Sequence, residues 1–461
     1  MAEADANGSS KEEFEGGEVL VCGATDWALV GRSKDVRAEK YPNLDVPTRI
    51  KSLEGVKVKF IAAGSAACHS IIGDSSGLCY TWGRNEKGQL GTGDLFQRNI
   101  PTVVEGLRGK KIVGGAAGRH HSVVYTATGE SFAWGGNSFG QCGTGSVKKV
   151  KGGEDNILTP TMAIVSKCSG VSCGGEFTAW LCEGKLYSAG LPQYGQLGHG
   201  TDNQYNAADS SVKMVFDPQP QPRLIATLAE KEVTRFACGQ NHTIAVCSDG
   251  GVWTWGFGGY GRLGHSVQQD EMRPRLVETL TGRIKVPADA QVAAGSTSTF
   301  CTILGGQLYA WGKLKPSGDN IMYPKPLFEI AGWNIKSITC GSTTFGVAAT
   351  APDGDISTIT WGHSNGYSEL GYGPKGKKSS ANPDKCMALE GVKCYQVAMG
   401  FAHSLFLVDP TSEKVKAMPE WECEPVDEEG PPSAAGAKGK ASGAKRKAPA
   451  AKAGSKGKQK K

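Results

Sequence analysis

The stretch TWGRNEKGQLGTG, Thr81 to Gly93, recurs along the chain and constrains its fold more than any other feature. Worn copies stand at 133–145 (AWGGNSFGQCGTG), 188–200 (SAGLPQYGQLGHG), 254–265 (TWGFGGYGRLGH), 310–312 (AWG) and 360–373 (TWGHSNGYSELGYG). A second motif precedes each copy: a run of small residues ending in glycine, often followed by His-Ser or His-Thr. It reads AAGSAACHS, AAGRHHS, SCGGEFT, ACGQNHT, AAGSTST, TCGSTTF and AMGFAHS. Its glycines are Gly64, Gly118, Gly174, Gly239, Gly295, Gly341 and Gly400, which gives seven repeats of roughly 46–65 residues. A fixed period of that length belongs to propellers, solenoids and arrays.

Within one repeat the pattern is short strands: VKFIAAG, HSIIGD, LCYTWG and PTVVEG. Val, Ile, Tyr and Trp enrichment between glycines favours strand over helix. Four strands in each of seven units predict an all-β fold, a seven-bladed β-propeller. The aromatic of WG is expected between blades, its glycine at a close approach, and GQLG in the connecting turn. The two ends of the repeat region are complementary. EVLVCGATDWALVG (18–31) has the glycine of a WG motif at Gly23 without a small-residue motif before it, and AMGFAHSLFLVDP (398–410) has the small-residue motif without a WG after it. A ring closed by strands from both termini accounts for both halves and removes the exposed sheet edges of an open array. The propeller is therefore assigned to 18–416. Two departures interrupt the pattern, a polar, Pro-rich insertion at 201–223 and KLKPSGDNIMYP in place of GQLG after Gly312.

Residues 1–17 are acidic and polar, and 417–461 run from an acidic segment into Ala, Gly and Lys; both compositions predict disorder. The formal net charge of +6 resides in this tail, because 438–461 hold ten Lys or Arg and no acid. Without those ten, 41 basic residues face 45 acidic ones. Lys445, Arg446 and Lys447 form a basic patch of the nuclear-localisation or nucleic-acid type, with a solubilising charge run as the plainer reading. Such a tail binds DNA, RNA or acidic tubulin tails with steep salt dependence. The 14 cysteines include no CxxC pair and read as small buried hydrophobes in a reducing compartment. The N-terminus lacks the form of a secretory signal, and no apolar run approaches a membrane span. The expectation is a soluble, intracellular protein with no membrane partner.

Conventional catalysis has no candidate residues. GFGGYG (256–261) fits a dinucleotide-binding pattern but leads into a further turn and not a helix. GYGPKGKKS (371–379) nearly fits a phosphate-binding loop, with Lys378 where Ser or Thr should hold magnesium. No metal-ligand spacing and no nucleophile elbow occur, so no cofactor and no metal are expected. His69, His121, His242 and His403 recur at one place in their repeats. Repetition favours a buried, architectural imidazole; the alternative is a rim facing a partner, which would include His121, Asn241, His242 and His403.

The doubled motif over 18–416 resembles the regulator of chromosome condensation repeat family, and GATDWALVGR, WGRNEKGQLG, WGFGGYGRLGH, DEMRPRLV and AMGFAHS strengthen the likeness. The resemblance implies a seven-bladed propeller that regulates a small GTPase of the Ran, Rho or Ral type, by guanine-nucleotide exchange or by binding the nucleotide-free form. It also implies association with chromosomes, centromeres and spindle microtubules, a role in mitosis, and a nuclear location with a cytoplasmic pool left open. In the family's Ran exchange factor an acid and histidines at these places contribute to exchange. Matched by repeat, the acid falls on Glu176, a first-repeat acidic loop residue on Glu86 and the seventh-repeat histidine on His403; the fifth-repeat histidine is lost to Ser298. The alternative function is a chromatin- or microtubule-binding scaffold without exchange activity. A plant UV-B photoreceptor shares the fold, but its GWRHT repeats are absent here, which argues against photoreception.

Overall fold

The computed structural model describes residues 14–32, 41–148, 153–208, 211–282, 284–363 and 366–422. Seven sheets stand around a central axis. Blades 1 to 6 are four-stranded, at 58–103, 112–162, 168–224, 233–276, 292–326 and 334–385, each running from an inner to an outer strand. Blade 7 takes Cys394–Met399 and His403–Val408 from the C-terminal side and Glu18–Gly23 and Leu44–Ile50 from the N-terminal side. Glu18–Gly23 pairs antiparallel with His403–Val408 over its whole length, from Glu18↔Val408 to Gly23↔His403. This is the closure that the half-motifs at the two ends require.

The sheet extends past 416. A short helix, Glu413–Lys416, buries Val415, and the strand Glu420–Trp421 adds in parallel to the outer strand of blade 7. Arg49 N donates to Pro419 O at 2.8 Å, and Trp421 packs into the core between blades 7 and 1. The ordered edge also begins before residue 18, since Gly17 bridges Val58 and Phe14 packs on Tyr395 with ring centroids 4.4 Å apart. The propeller therefore runs past the 18–416 boundary at both ends. Residues 1–13 and 423–461, with Lys445, Arg446 and Lys447, lie outside the described residues.

The repeat glycines at the blade junctions have a packing reason. The last glycine of GQLG sits against the tryptophan of the next blade. A Cβ there would lie 2.8 Å from Trp134 Nε1 at Gly91 and 3.0 Å from Trp255 Nε1 at Gly198. Trp134 Nε1 in turn donates to Gln89 O at 2.8 Å, and Trp255 Nε1 to Gln196 O at 3.0 Å. The WG tryptophans are thus the buried wedges between blades, as their spacing predicts. Where the motif fails, the slot is filled another way. Blade 3 has Ala189 in the tryptophan place, and Trp180 from the neighbouring strand occupies the same slot, against Gly143. After blade 5, which lacks GQLG, Trp361 is held instead by Phe300 and Phe345, at 5.9 and 5.4 Å between ring centroids.

A proline stands in every outer strand: Pro47, Pro101, Pro160, Pro222, Pro274, Pro324 and Pro383. A proline has no N–H to offer a further strand, so the blade edges resist edge-to-edge pairing. The 201–223 insertion forms a small hairpin, Gln204–Asn206 with Met214–Phe216, inserted before the outer strand of blade 3. It leaves Tyr205, Val212 and Met214 exposed.

Candidate partner-binding face

The start of each second strand pairs with the glycine that ends each third strand: His69↔Gly83, His121↔Gly135, Phe177↔Gly190 and His242↔Gly256. The loop after the small-residue glycine and the turn after WG therefore lie at the same end of every blade. They build one face of the ring, and the 204–216 hairpin, which follows a WG-type turn, rises from it. Backbone bonds tie the inner loops together around the channel mouth, from Arg119 N to Gly175 O, Gly175 N to Gln240 O and Phe401 N to Ala67 O.

The four recurrent histidines are fully buried. Each bonds the hydroxyl of the next blade: His69 Nε2 to Ser122 Oγ (2.8 Å), His121 to Thr178 (2.9 Å), His242 to Thr299 (2.8 Å) and His403 to Ser70 (2.9 Å). Ser122, Thr178 and Thr299 spend their own hydrogen on a carbonyl of the histidine's blade: Gln89, Gln141 and Arg262, all at 2.7 Å. A hydroxyl has one hydrogen, so in these three clasps Nε2 carries the proton and donates. Burial drives the imidazole pKa down to about 3 for His69, to about 4 for His121 and His403, and well below the ordinary value for His242. The rings are neutral clasps between blades. A Cβ on Gly118, Gly239 or Gly400 would run into the histidine ring three residues on, which is why the motif needs glycine there. The buried, architectural reading holds for these histidines, and the alternative that placed His121, His242 and His403 on a partner-facing rim is corrected: they sit one layer beneath the face and expose no imidazole.

In blades 2, 3 and 4 the residue just before the clasp position reaches the surface, whereas Cys68 and Ala402, before His69 and His403, are buried. Glu176, His120 and Asn241 hold this place in blades 3, 2 and 4, and all three are partly exposed. Glu86, from the WG turn of blade 1, joins them. His120 lies between the two carboxylates, with Nδ1 3.5 Å from Glu176 Oε1 and Nε2 4.0 Å from Glu86 Oε1. Arg32 holds Glu86 through its guanidinium, with one contact at 2.6 Å. Glu176 accepts from Gln141 Nε2 at 2.9 Å and has Arg119 3.8 Å away. Burial acts to raise the Glu86 carboxyl, but the Arg32 hydrogen bond and charge outweigh it and leave the pKa below the ordinary glutamate value. Both carboxylates thus belong to a charge cluster that spans blades 1 to 3. Arg84 is held by the backbone carbonyls of Trp27 (2.9 Å) and Val30 (2.5 Å), and it lines the adjoining channel mouth, a depression of about 250 Å³, with Arg32, Arg119 and His120.

The structure brings Glu86 and Glu176 together, places His403 in the layer below, and adds Arg32, Arg119 and His120, which sequence reasoning missed. Arg119 and His120 were visible as the departure in AAGRHHS, where the other repeats carry small or uncharged polar residues at one or both of these places. Aromatic residues also gather on this face. Phe139, Tyr194 and Tyr260 occupy one place in the WG turns of blades 2, 3 and 4, and Tyr260 is held at φ 64. Arg262, which replaces the glutamine of GQLG, is buried and stacks 4.6 Å from the centroid of Phe257.

Residues 15–290 match the RCC1-like domain. Protein RCC2 of Homo sapiens is 39% identical over 429 residues, covering 88% of this chain and 79% of that protein. The Xenopus laevis RCC2 homolog is also 39% identical, covering 88% of this chain and 81% of that protein. Among solved structures, human WBSCR16 superposes with a TM-score of 0.67 at 22% identity, covering 86% of this chain and all of that one. Prp20p from Saccharomyces cerevisiae superposes with a TM-score of 0.67 at 20% identity, covering 88% of this chain and 94% of that one. The seven-bladed ring, the clasped blades and these matches together establish that the chain belongs to the RCC1-like domain family.

Proposed function

We propose that this protein is a non-catalytic regulator of a small GTPase, which it engages through the face that carries Glu86, His120 and Glu176. The observation that carries the proposal is the cluster itself: two carboxylates from different blades converge on one histidine beside the channel mouth. They are held by side chains that offer no nucleophile and no metal site. Such a face acts by differential binding. If it fits the nucleotide-free GTPase better than the loaded form, linkage requires that it weaken bound nucleotide by the same factor. Glu86 and Glu176 can exchange their arginine partners for a lysine of the GTPase's phosphate loop, competing with the nucleotide phosphates for that cation. The aromatic residues and the hairpin on the same face supply apolar contact area, the usual source of anchoring energy at an interface. The yeast relative Prp20p is described with binding properties to Gsp1p and histones, which supports a GTPase partner and, separately, a chromatin partner. We assign chromatin, DNA or microtubule attachment, and nuclear accumulation, to the basic tail with Lys445, Arg446 and Lys447.

The test is affinity capture on nucleotide-free GTPases of the Ran, Rho and Ral types, followed by release of labelled GDP from whichever is retained. Retention with accelerated release identifies an exchange factor. Retention without release identifies a binder, and no retention leaves the scaffold reading.

A further inference from the structure

Thirteen cysteines are described, and all are buried. In eleven of them burial pushes the thiol above its ordinary pKa. The remaining two, Cys168 and Cys182, differ in geometry. Cys168 opens the first strand of blade 3 and Cys182 closes the second, and the two are directly opposed across the antiparallel ladder. Opposed residues in such a ladder have Cα atoms about 4.5–5.5 Å apart with side chains on the same face of the sheet. That separation lies inside the range a disulfide needs, about 4.4–6.8 Å between Cα atoms. The register therefore permits a cross-strand bridge.

Two further features set the pair apart. Each thiol acts on the other, which lowers the pKa of Cys168 and raises that of Cys182, and Cys168 Sγ donates to Gly170 O at 3.4 Å. The residues next outward, Lys167 and Glu183, both have positive φ, 53° and 49°, and close the end of the ladder with an ion pair at 2.5 Å. That pair is well exposed, so the thiols lie one residue in from solvent at an open blade end. Cys168 and Cys182 retain 4% and 6% exposure, no more than Cys68 or Cys238, so the opposed register and the exposed blade end are what distinguish them.

We propose that Cys168 and Cys182 are a redox-active pair that a peroxide converts to a reversible cross-strand disulfide. The Cys168 thiolate attacks one peroxide oxygen and the O–O bond breaks. Cys168 becomes a sulfenic acid, and the departing oxygen leaves as water after taking a proton. Cys182 gives up its proton and attacks the sulfenic sulfur. The S–S bond forms, and the hydroxyl leaves as a second water. Two thiols lose two electrons and hydrogen peroxide gains two. A dithiol reductant reverses the step and is itself oxidised to a disulfide. The bond closes the segment 168–182, whose turn at the other end of the two strands carries Glu176, so oxidation staples the hairpin that presents one of the face carboxylates. The chemistry of the pair does not depend on the proposed GTPase role.

The test uses the folded full-length chain. It is titrated with hydrogen peroxide, its remaining thiols are alkylated, and it is digested for mass spectrometry. The expected result is a linked peptide joining Cys168 to Cys182 that forms before any other cysteine reacts, disappears with dithiothreitol, and accompanies a rise in the thermal midpoint. In Cys182→Ser, Cys168 should instead accumulate a sulfenic acid that dimedone traps. Absence of the linked peptide from the wild-type protein, at peroxide levels that already oxidise its surface methionines, overturns the proposal. So does a link from either residue to a different cysteine. Both of these outcomes are read on wild type and do not depend on whether the serine variant folds.

Discussion

His120 and His121 are neighbours in the chain and opposites in the molecule. His121 is fully buried, donates to Thr178 of the next blade, and has counterparts in blades 1, 4 and 7. His120 is 27% exposed in its side chain, sits between Glu86 and Glu176, and has no histidine counterpart at its place in the other repeats. One residue of offset separates a part of the ring from a part of its surface. In a ring built by repetition, a side chain that recurs solves a problem every blade has, which here is attachment to the next blade. A side chain that occurs once solves a problem of one place on the rim. The recurrence of the histidines marks architecture, and the departures from the repeat mark the candidate site.

If closure of blade 7 underlies everything else, removing its first N-terminal strand produces the largest effect. A chain that begins after residue 30 lacks Glu18–Gly23 and Trp27, leaves His403–Val408 unpaired on one side, and opens the core between blades 7 and 1. Compared with a chain beginning at Phe14, it should lose cooperative melting in calorimetry, a cost of more than about 5 kcal/mol, which is a typical domain's whole margin.

This closure was legible because the two ends carry complementary halves of one motif, and the wedge tryptophans were legible because WG recurs. Other features were not. Trp180 fills its slot from the wrong strand, and nothing in FTAWLC signals that it replaces the residue missing at Ala189. The strap at 413–421 follows no repeat, and only its packing of Val415 and Trp421 reveals it. Glu86 and Glu176 could be named from the resemblance, but their meeting at His120 depends on the placing of three blades around an axis. The burial of the histidines was legible from their recurrence, but the hydroxyl each one bonds in the next blade was not.

Trp180→Leu tests whether the relocated wedge is equivalent to the others. It removes a fully buried indole, opens a cavity beside Gly143, and leaves Ser131 Oγ without the donor it has at 3.1 Å. Equilibrium denaturation should show a loss of about 3–4 kcal/mol. Trp134→Leu should cost about the same; a much smaller loss at Trp180 would mean that the slot in blade 3 is filled by other groups.

His121→Phe separates volume from clasp, since blade 3 already uses Phe177 at this place. At neutral pH the variant should lose about 1–3 kcal/mol, because the donor to Thr178 is gone while the pocket remains filled. The pH dependence should change as well. The folded pKa of His121 lies near 4 against an ordinary 6.5, so between those values the unfolded chain binds more protons than the folded one. Stability therefore falls as pH falls through that window, by about 3 kcal/mol for such a site by pH 4. Denaturation midpoints measured from pH 7 to pH 4 should fall less steeply in His121→Phe than in wild type. Parallel slopes would show that the imidazole titrates freely and is not the clasp described.

The smallest effect on stability should come from the surface half of the comparison, and there the account is tested most directly. Glu86→Gln/Glu176→Gln keeps volume and one acceptor oxygen at each place while removing both charges beside His120, and as a rim change it should alter stability by no more than about 0.5 kcal/mol. The measurement is capture of the double variant on the nucleotide-free GTPase that retains wild type, with thermal melting recorded on the same samples. The account predicts capture reduced at least tenfold at an unchanged melting temperature. Full capture by the double variant, combined with loss of capture by a folded His121→Phe, would contradict it and place the partner-binding chemistry in the clasps.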